Sequence, residues 1–168
     1  MAEAQGLAHP LWKKLSRLSQ GSGGLGERMS WVFDQLWKDH ERIIFIGADS
    51  PQIRLSQLES LLNVGESAEF TLGLTEDGGF CVLVAQAYIP FSLWTSVEYS
   101  QARTAKEFTL KLDQLGRVNC SPKKFYDVDV VEDLERLGLE DTTQADWTKA
   151  QREIILWARA MTSSQFVD

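Results

Sequence analysis

The sequence predicts an α+β domain with a mainly antiparallel sheet and flanking helices, preceded by an N-terminal amphipathic helical arm. Three observations carry that expectation. Helical and strand periodicities alternate along the chain. One segment, "EFTLGLTEDGGFCVLVAQ", reads as a β-hairpin around Asp77-Gly78. A Gly/Ser-rich stretch near residues 21–26 separates the first amphipathic segment from the remainder. The chain therefore divides into an arm with its hinge, residues 1–26, and a single α+β domain, residues 27–168.

At 168 residues the domain buries enough surface to need no disulfide or metal staple. The net charge of −7 argues against nucleic acid as the main partner, because phosphate binding wants a basic face. Cys81 and Cys120 form no paired motif, and with two histidines there is no metal-ligand spacing. No run reaches signal-peptide or membrane-span length, so a cytoplasmic location is expected. The charge is polarised. Residues 127–146 hold eight acids against Arg136, whereas the arm is basic through Lys13, Lys14 and Arg17.

In the arm, Pro10 suits a first helical turn, and Leu11, Leu15 and Leu18 recur at helical spacing. So short a helix needs a surface to dock on. Gly21, Gly23 and Gly26 then spell the spacing of a dinucleotide-binding loop. That loop requires a strand before it, and an amphipathic helical segment stands there instead. The glycines are read as a hinge.

Met29, Val32, Phe33, Leu36 and His40 form the core stripe of the next helix, with Trp37 on its flank and Trp31 pointing elsewhere. The run from Ile43 to Ile46 is continuously apolar, as in a strand covered on both faces. Ser56 and Glu59 have capping-box spacing and open a second helix that closes near Asn63 to Gly65. In the hairpin, a two-residue type I′ turn sets Leu72 opposite Leu83, Gly73 opposite Val82 and Leu74 opposite Cys81. Cys81 then faces the core. The opposite surface, with Phe80, Val82 and Val84, must be covered by helices or by a ligand.

Further strands are expected in "IPFSLWTSVEYS" and in "AKEFTLKLDQLGRVNC", where Phe108, Leu110 and Leu112 alternate with polar residues. Terminal helices follow at Glu132–Leu137 and from about Thr143, the second carrying Trp147 and Trp157. This order of elements shares its general plan with PAS and GAF sensor domains, an analogy of fold without a motif behind it.

For chemistry, Asp127-Val-Asp129 resembles the Asp-x-Asp of aspartyl phosphatases but lacks a following lysine, and an acidic helix start accounts for its spacing. A calcium loop would need a central glycine that is missing. His9 and His40 leave no base within sequence reach of a nucleophile. The sequence thus favours a non-catalytic cytoplasmic regulatory or adaptor domain. It would work through contacts with another protein, with room for a small ligand. Leu11, Trp12, Leu15 and Leu18 on the arm, with Trp31 and Trp157, are the expected partner-binding residues. The alternative is a small enzyme or cofactor carrier, with a carboxylate site near Asp127–Glu132 or a pocket beside Gly73. No catalytic residue, cofactor or metal is expected.

Overall fold

A computed structural model describes residues 7, 9–12, 14–65 and 67–163. The fold is α+β, built on a four-stranded mixed sheet with helices on both faces. After a 3₁₀ turn at Pro10–Trp12, the elements run α1 (Leu25–Trp37), β1 (Ile43–Ile46), α2 (Leu55–Gly65), β2 (Phe70–Leu74), β3 (Phe80–Ala85), α3 (Phe91–Trp94), α4 (Thr104–Leu112), β4 (Val118–Cys120), α5 (Val131–Gly138) and α6 (Lys149–Ser163). The strands lie in the order β1-β3-β2-β4. The β1–β3 and β2–β3 pairs are antiparallel, and β2–β4 is parallel. Strands β1, β2 and β4 therefore all run the same way.

One face of the sheet packs Phe70, Leu72 and Leu83 against Phe33, Trp94 and Phe108. The aromatic rings lock together: Phe80 stacks on Phe108 with centroids 5.2 Å apart, and Phe108 lies 5.3 Å from Trp94. The other face packs Val82 and Val84 against Ile53, Leu61 and Phe125. Leu137, Trp147, Ile155 and Ala158 close a third cluster between α5 and α6.

Helix α1 follows its expected stripe, with Met29, Val32 and Phe33 buried, but ends at Trp37 and leaves His40 exposed beyond it. The glycine stretch leads directly into this helix. Gly21 and Gly23 have positive φ, and the Glu27 carboxylate accepts the Gly24 backbone N–H at 2.7 Å. Gly26 belongs to the first turn, where an added Cβ would stand 2.3 Å from the Trp94 carbonyl oxygen. Among the described residues no strand precedes it.

Several expectations need correction. The arm forms no α-helix among its described residues, only the 3₁₀ turn. Strand β1 is an edge strand rather than a covered one, with Ile44 and Ile46 exposed. Helix α2 begins at Leu55, and the Ser56 hydroxyl donates to Asp146 instead of capping. The hairpin turn is not type I′, because Gly78 has positive φ and Asp77 does not. Thr75 donates its N–H to the Gly79 carbonyl across a three-residue loop. The register holds at Leu72↔Leu83 and Gly73↔Val82, then shifts so that Leu74 pairs with Phe80. That shift turns Phe80 onto the Phe108 face.

The segments expected as later strands are mostly helical. Residues 91–94 form α3 and residues 104–112 form α4, burying Ala105, Phe108 and Leu112 while Leu110 stays 60% exposed. Only Val118–Cys120 is a strand, and it pairs parallel, so the sheet is mixed. A parallel partner needs a long crossover, and α3 and α4 supply it. No helix among the described residues is long and apolar enough to cross a membrane.

Candidate functional site

Beyond the C-terminal ends of the three co-directional strands lies a cavity of about 400 Å³. This is the end of a sheet at which such folds place ligands. The chain leaves β1 through Gly47 to Asp49, leaves β2 through Thr75 to Asp77, and leaves β4 towards Asp127 and Asp129. All four aspartates line the cavity. Met29, Phe45 and Phe80 supply its apolar wall, and Tyr99, Gln101 and Thr104 a polar one.

The acid-bearing loops are stitched to one another. The Ser50 hydroxyl donates to Asp127 Oδ1 at 2.6 Å, and the Val128 N–H donates to the Asp49 carbonyl at 2.9 Å. Gln52 Nε2 donates to the Tyr126 carbonyl. On the other side, the Phe125 N–H donates to the Leu74 carbonyl at 2.7 Å, and the Glu76 N–H to the Phe125 carbonyl at 2.9 Å. Arg136 on α5 grips Glu76 through both carboxylate oxygens, at 2.7 and 2.8 Å, with its guanidinium 3.8 Å from the centre of the Tyr126 ring. That fork holds the Glu76 carboxyl below its usual range. Asp77 accepts the Gly79 N–H at 2.9 Å and the Thr75 hydroxyl, which fixes its side chain in the turn.

No lysine, arginine or histidine is among the residues lining this cavity. Burial pushes the Asp127 carboxyl above its ordinary value. The charges of Asp49, Asp77 and Asp129 push the same way, and the Ser50 hydrogen bond opposes them. Among the described residues no three metal-binding side chains are grouped closely enough to hold an ion alone. The oxygen donors still fit a magnesium-like cation shared with a ligand, since such ions take one or two carboxylates and fill their shell with water and phosphate oxygens. Cys81, in the same wall, is buried and its thiol is pushed up to about 12, chiefly by that burial, so it is no nucleophile at neutral pH.

Of the residues singled out from sequence, Asp127 and Asp129 reach the cavity, and Glu132 does not line it. The expected space beside Gly73 is filled: an added Cβ would meet Val82, Phe125 and Leu61 at 3.0 to 3.3 Å. Trp12 and Leu15 are exposed, Leu18 is half-buried, and the Leu11 side chain lies outside the described residues. Trp31 and Trp157 are exposed on α1 and α6. None of the five described side chains lines the acidic cavity. Sequence reasoning missed Asp49 and Asp77. Their signal was position, each three residues beyond a strand end in a Gly- or Pro-containing loop.

No curated protein matches the sequence. A crystal structure from Desulfovibrio desulfuricans G20, provisionally named a nucleotide-diphospho-sugar transferase, superposes with a TM-score of 0.74 at 20% identity. The match covers 89% of this chain and 66% of the other, so the chain spans a little under two thirds of that protein's length. A transferase-like fold replaces the sensor-domain analogy. With the acid-lined cavity, it overturns the expectation of a non-catalytic regulatory, adaptor or signalling domain and favours the carboxylate-site alternative. The family described as "Uncharacterized protein conserved in bacteria (DUF2064)" matches residues 2–101, more than half of the sequence, and the chain belongs to that family.

Proposed function

We propose that the protein binds a nucleotide-diphospho-sugar in the acidic cavity and catalyses group transfer from it. The observation that carries this reading is the convergence of Asp49, Asp77, Asp127 and Asp129, from three strand ends, on one cavity without a basic lining residue. Like charges brought together at partial burial oppose one another, and such an arrangement suits a ligand that arrives with a cation. A shared divalent ion would neutralise the diphosphate. Asp49 and Asp127, joined through Ser50 and Val128, are the residues placed to hold it, with Asp129 beside them. The fold likeness supports the same reading by analogy of architecture.

The test is calorimetric titration of the full chain with UDP-, GDP-, ADP- and dTDP-linked hexoses, with and without Mn²⁺. One of these donors is expected to bind only when Mn²⁺ is present. Asp49→Asn and Asp127→Asn should each abolish that binding while retaining the native circular dichroism spectrum. Absence of binding across the panel, or binding indifferent to Mn²⁺ and to both substitutions, would remove the proposal.

A further inference from the structure

The acidic cavity does not end at α1. Leu25 and Tyr99 lie on its rim and also line a second depression beside Trp94. Glu27 and Phe91 in turn border that depression and a third, of about 440 Å³, floored by Ser30. Shared lining side chains set the three side by side, as a row around the first turn of α1. Its far end is a shelf between Trp31 and Phe91, which are 50% and 53% exposed. Gly21 backs the indole, with its hypothetical Cβ 3.4 Å from Trp31 Cδ1.

The polar groups of the shelf define its ligand. Ser30 is fully buried, and its hydroxyl has no hydrogen-bond partner, although a buried hydroxyl ordinarily finds one. Glu27 and Asp34 carry the charge. Glu27 accepts the Gly24 N–H, Asp34 accepts the Tyr88 hydroxyl at 2.9 Å, and each keeps further acceptor capacity. No basic side chain lines the shelf, which disfavours phosphate and other anions. A cation would satisfy the carboxylates but leave the Ser30 hydroxyl proton without an acceptor. A pyranose answers every feature: its axial C–H face lies on aromatic rings, and its hydroxyls both donate to carboxylates and accept from a serine.

We propose that this row of depressions binds a saccharide, with one ring on the Trp31–Phe91 shelf and the chain directed towards the acidic cavity, as the acceptor for the transfer proposed above. The assignment rests on that reading for the word acceptor, and the binding itself needs neither nucleotide nor metal. The test is a glycan array probed with the full-length chain in the absence of both, followed by tryptophan-fluorescence titration of the oligosaccharides retained. Trp31→Ala and Phe91→Ala, at exposed positions, should each weaken the titrated oligosaccharide by about tenfold or more. Ser30→Ala should weaken it as well without changing the melting temperature downward. Retention of no glycan, or retention unaffected by Trp31→Ala and Phe91→Ala, overturns the proposal. So does a result in which Trp31→Ala weakens only the nucleotide-sugar titration, which would make the shelf a base-stacking surface. Glycan binding with no nucleotide-sugar binding would sink the transferase reading and leave the saccharide site standing.

Discussion

Replacing Gly78 by alanine tests how the hairpin turn is locked to the wall of the acidic cavity. Gly78 has a φ of 92°, and a Cβ built there would lie 2.0 Å from the carbonyl oxygen of Ala102 and 2.5 Å from its carbon. Both are backbone atoms and cannot rotate aside. Retreat of the 98–105 segment is also resisted, because the Ala105 N–H donates to the Gly78 carbonyl at 2.9 Å. The left-handed conformation costs about 1–3 kcal/mol for a side-chain-bearing residue. The collision adds about 1–3 kcal/mol, on the scale of overpacked interiors. Their sum of about 2–6 kcal/mol corresponds to a fall in melting temperature of at least about 4 °C for a chain of this length. Gly24→Ala is the control: that position has a φ of −68°, and its Cβ would meet only Glu27 Oε2 at 3.6 Å. It should stay within about 1 kcal/mol of the wild type. Urea unfolding of the three proteins measures both effects. If Gly78→Ala unfolds with the wild type, or Gly24→Ala loses as much, the close packing of turn and loop is not what shapes this wall.

The parts of the fold legible in the sequence are those where one periodicity had no rival. Met29, Val32 and Phe33 could lie together only on a helix, and they do. The alternation in β2 and β3 fixed Leu72 against Leu83, but the loop length was hidden. Asp77-Gly78 suits a two-residue turn as well as it suits the end of a three-residue loop, and that ambiguity displaced Leu74 and Phe80. In α4 two periods coincided. Phe108, Leu110 and Leu112 alternate, while Ala105, Phe108 and Leu112 repeat at helical steps. The choice was made by Phe108 stacking on Phe80 and packing against Trp94, contacts no local window contains. Likewise the apolar run of β1 carries no mark of being an edge. The site was less legible still. Asp127 and Asp129 stood out as neighbours, whereas Asp49 and Asp77 are ordinary loop acids until three strand ends bring them together. A site assembled across a sheet has no spacing for sequence to display.

Two further measurements follow from the same packing. Phe108→Ala should cost about 3–5 kcal/mol, since the ring is fully buried, whereas Leu110→Ala should change stability by no more than about 0.5 kcal/mol. Comparable losses at both positions would restore the strand that the alternation suggests. The other concerns Asp127, whose carboxyl sits above its ordinary value because of burial first and the neighbouring aspartates second. An acid with a raised folded pKa penalises the folded state while it is charged. The penalty is full above the folded pKa and disappears as pH falls towards the ordinary carboxylate value. In metal-free buffer, Asp127→Asn should therefore melt above the wild type near neutral pH, and the gap should close on acidification towards the ordinary carboxylate value. Subtracting the two melts at each pH cancels Glu76, Asp141 and Asp146, whose lowered values act in the opposite direction in both proteins. Mn²⁺ added together with the nucleotide-sugar that binds in the titration should reverse the order near neutral pH, stabilising the wild type and not the variant, because a bound cation favours the charged form that burial opposes. A gap that stays constant with pH, or Mn²⁺ raising both melts equally, would show that Asp127 neither carries the strain of the acidic cavity nor meets the ion there.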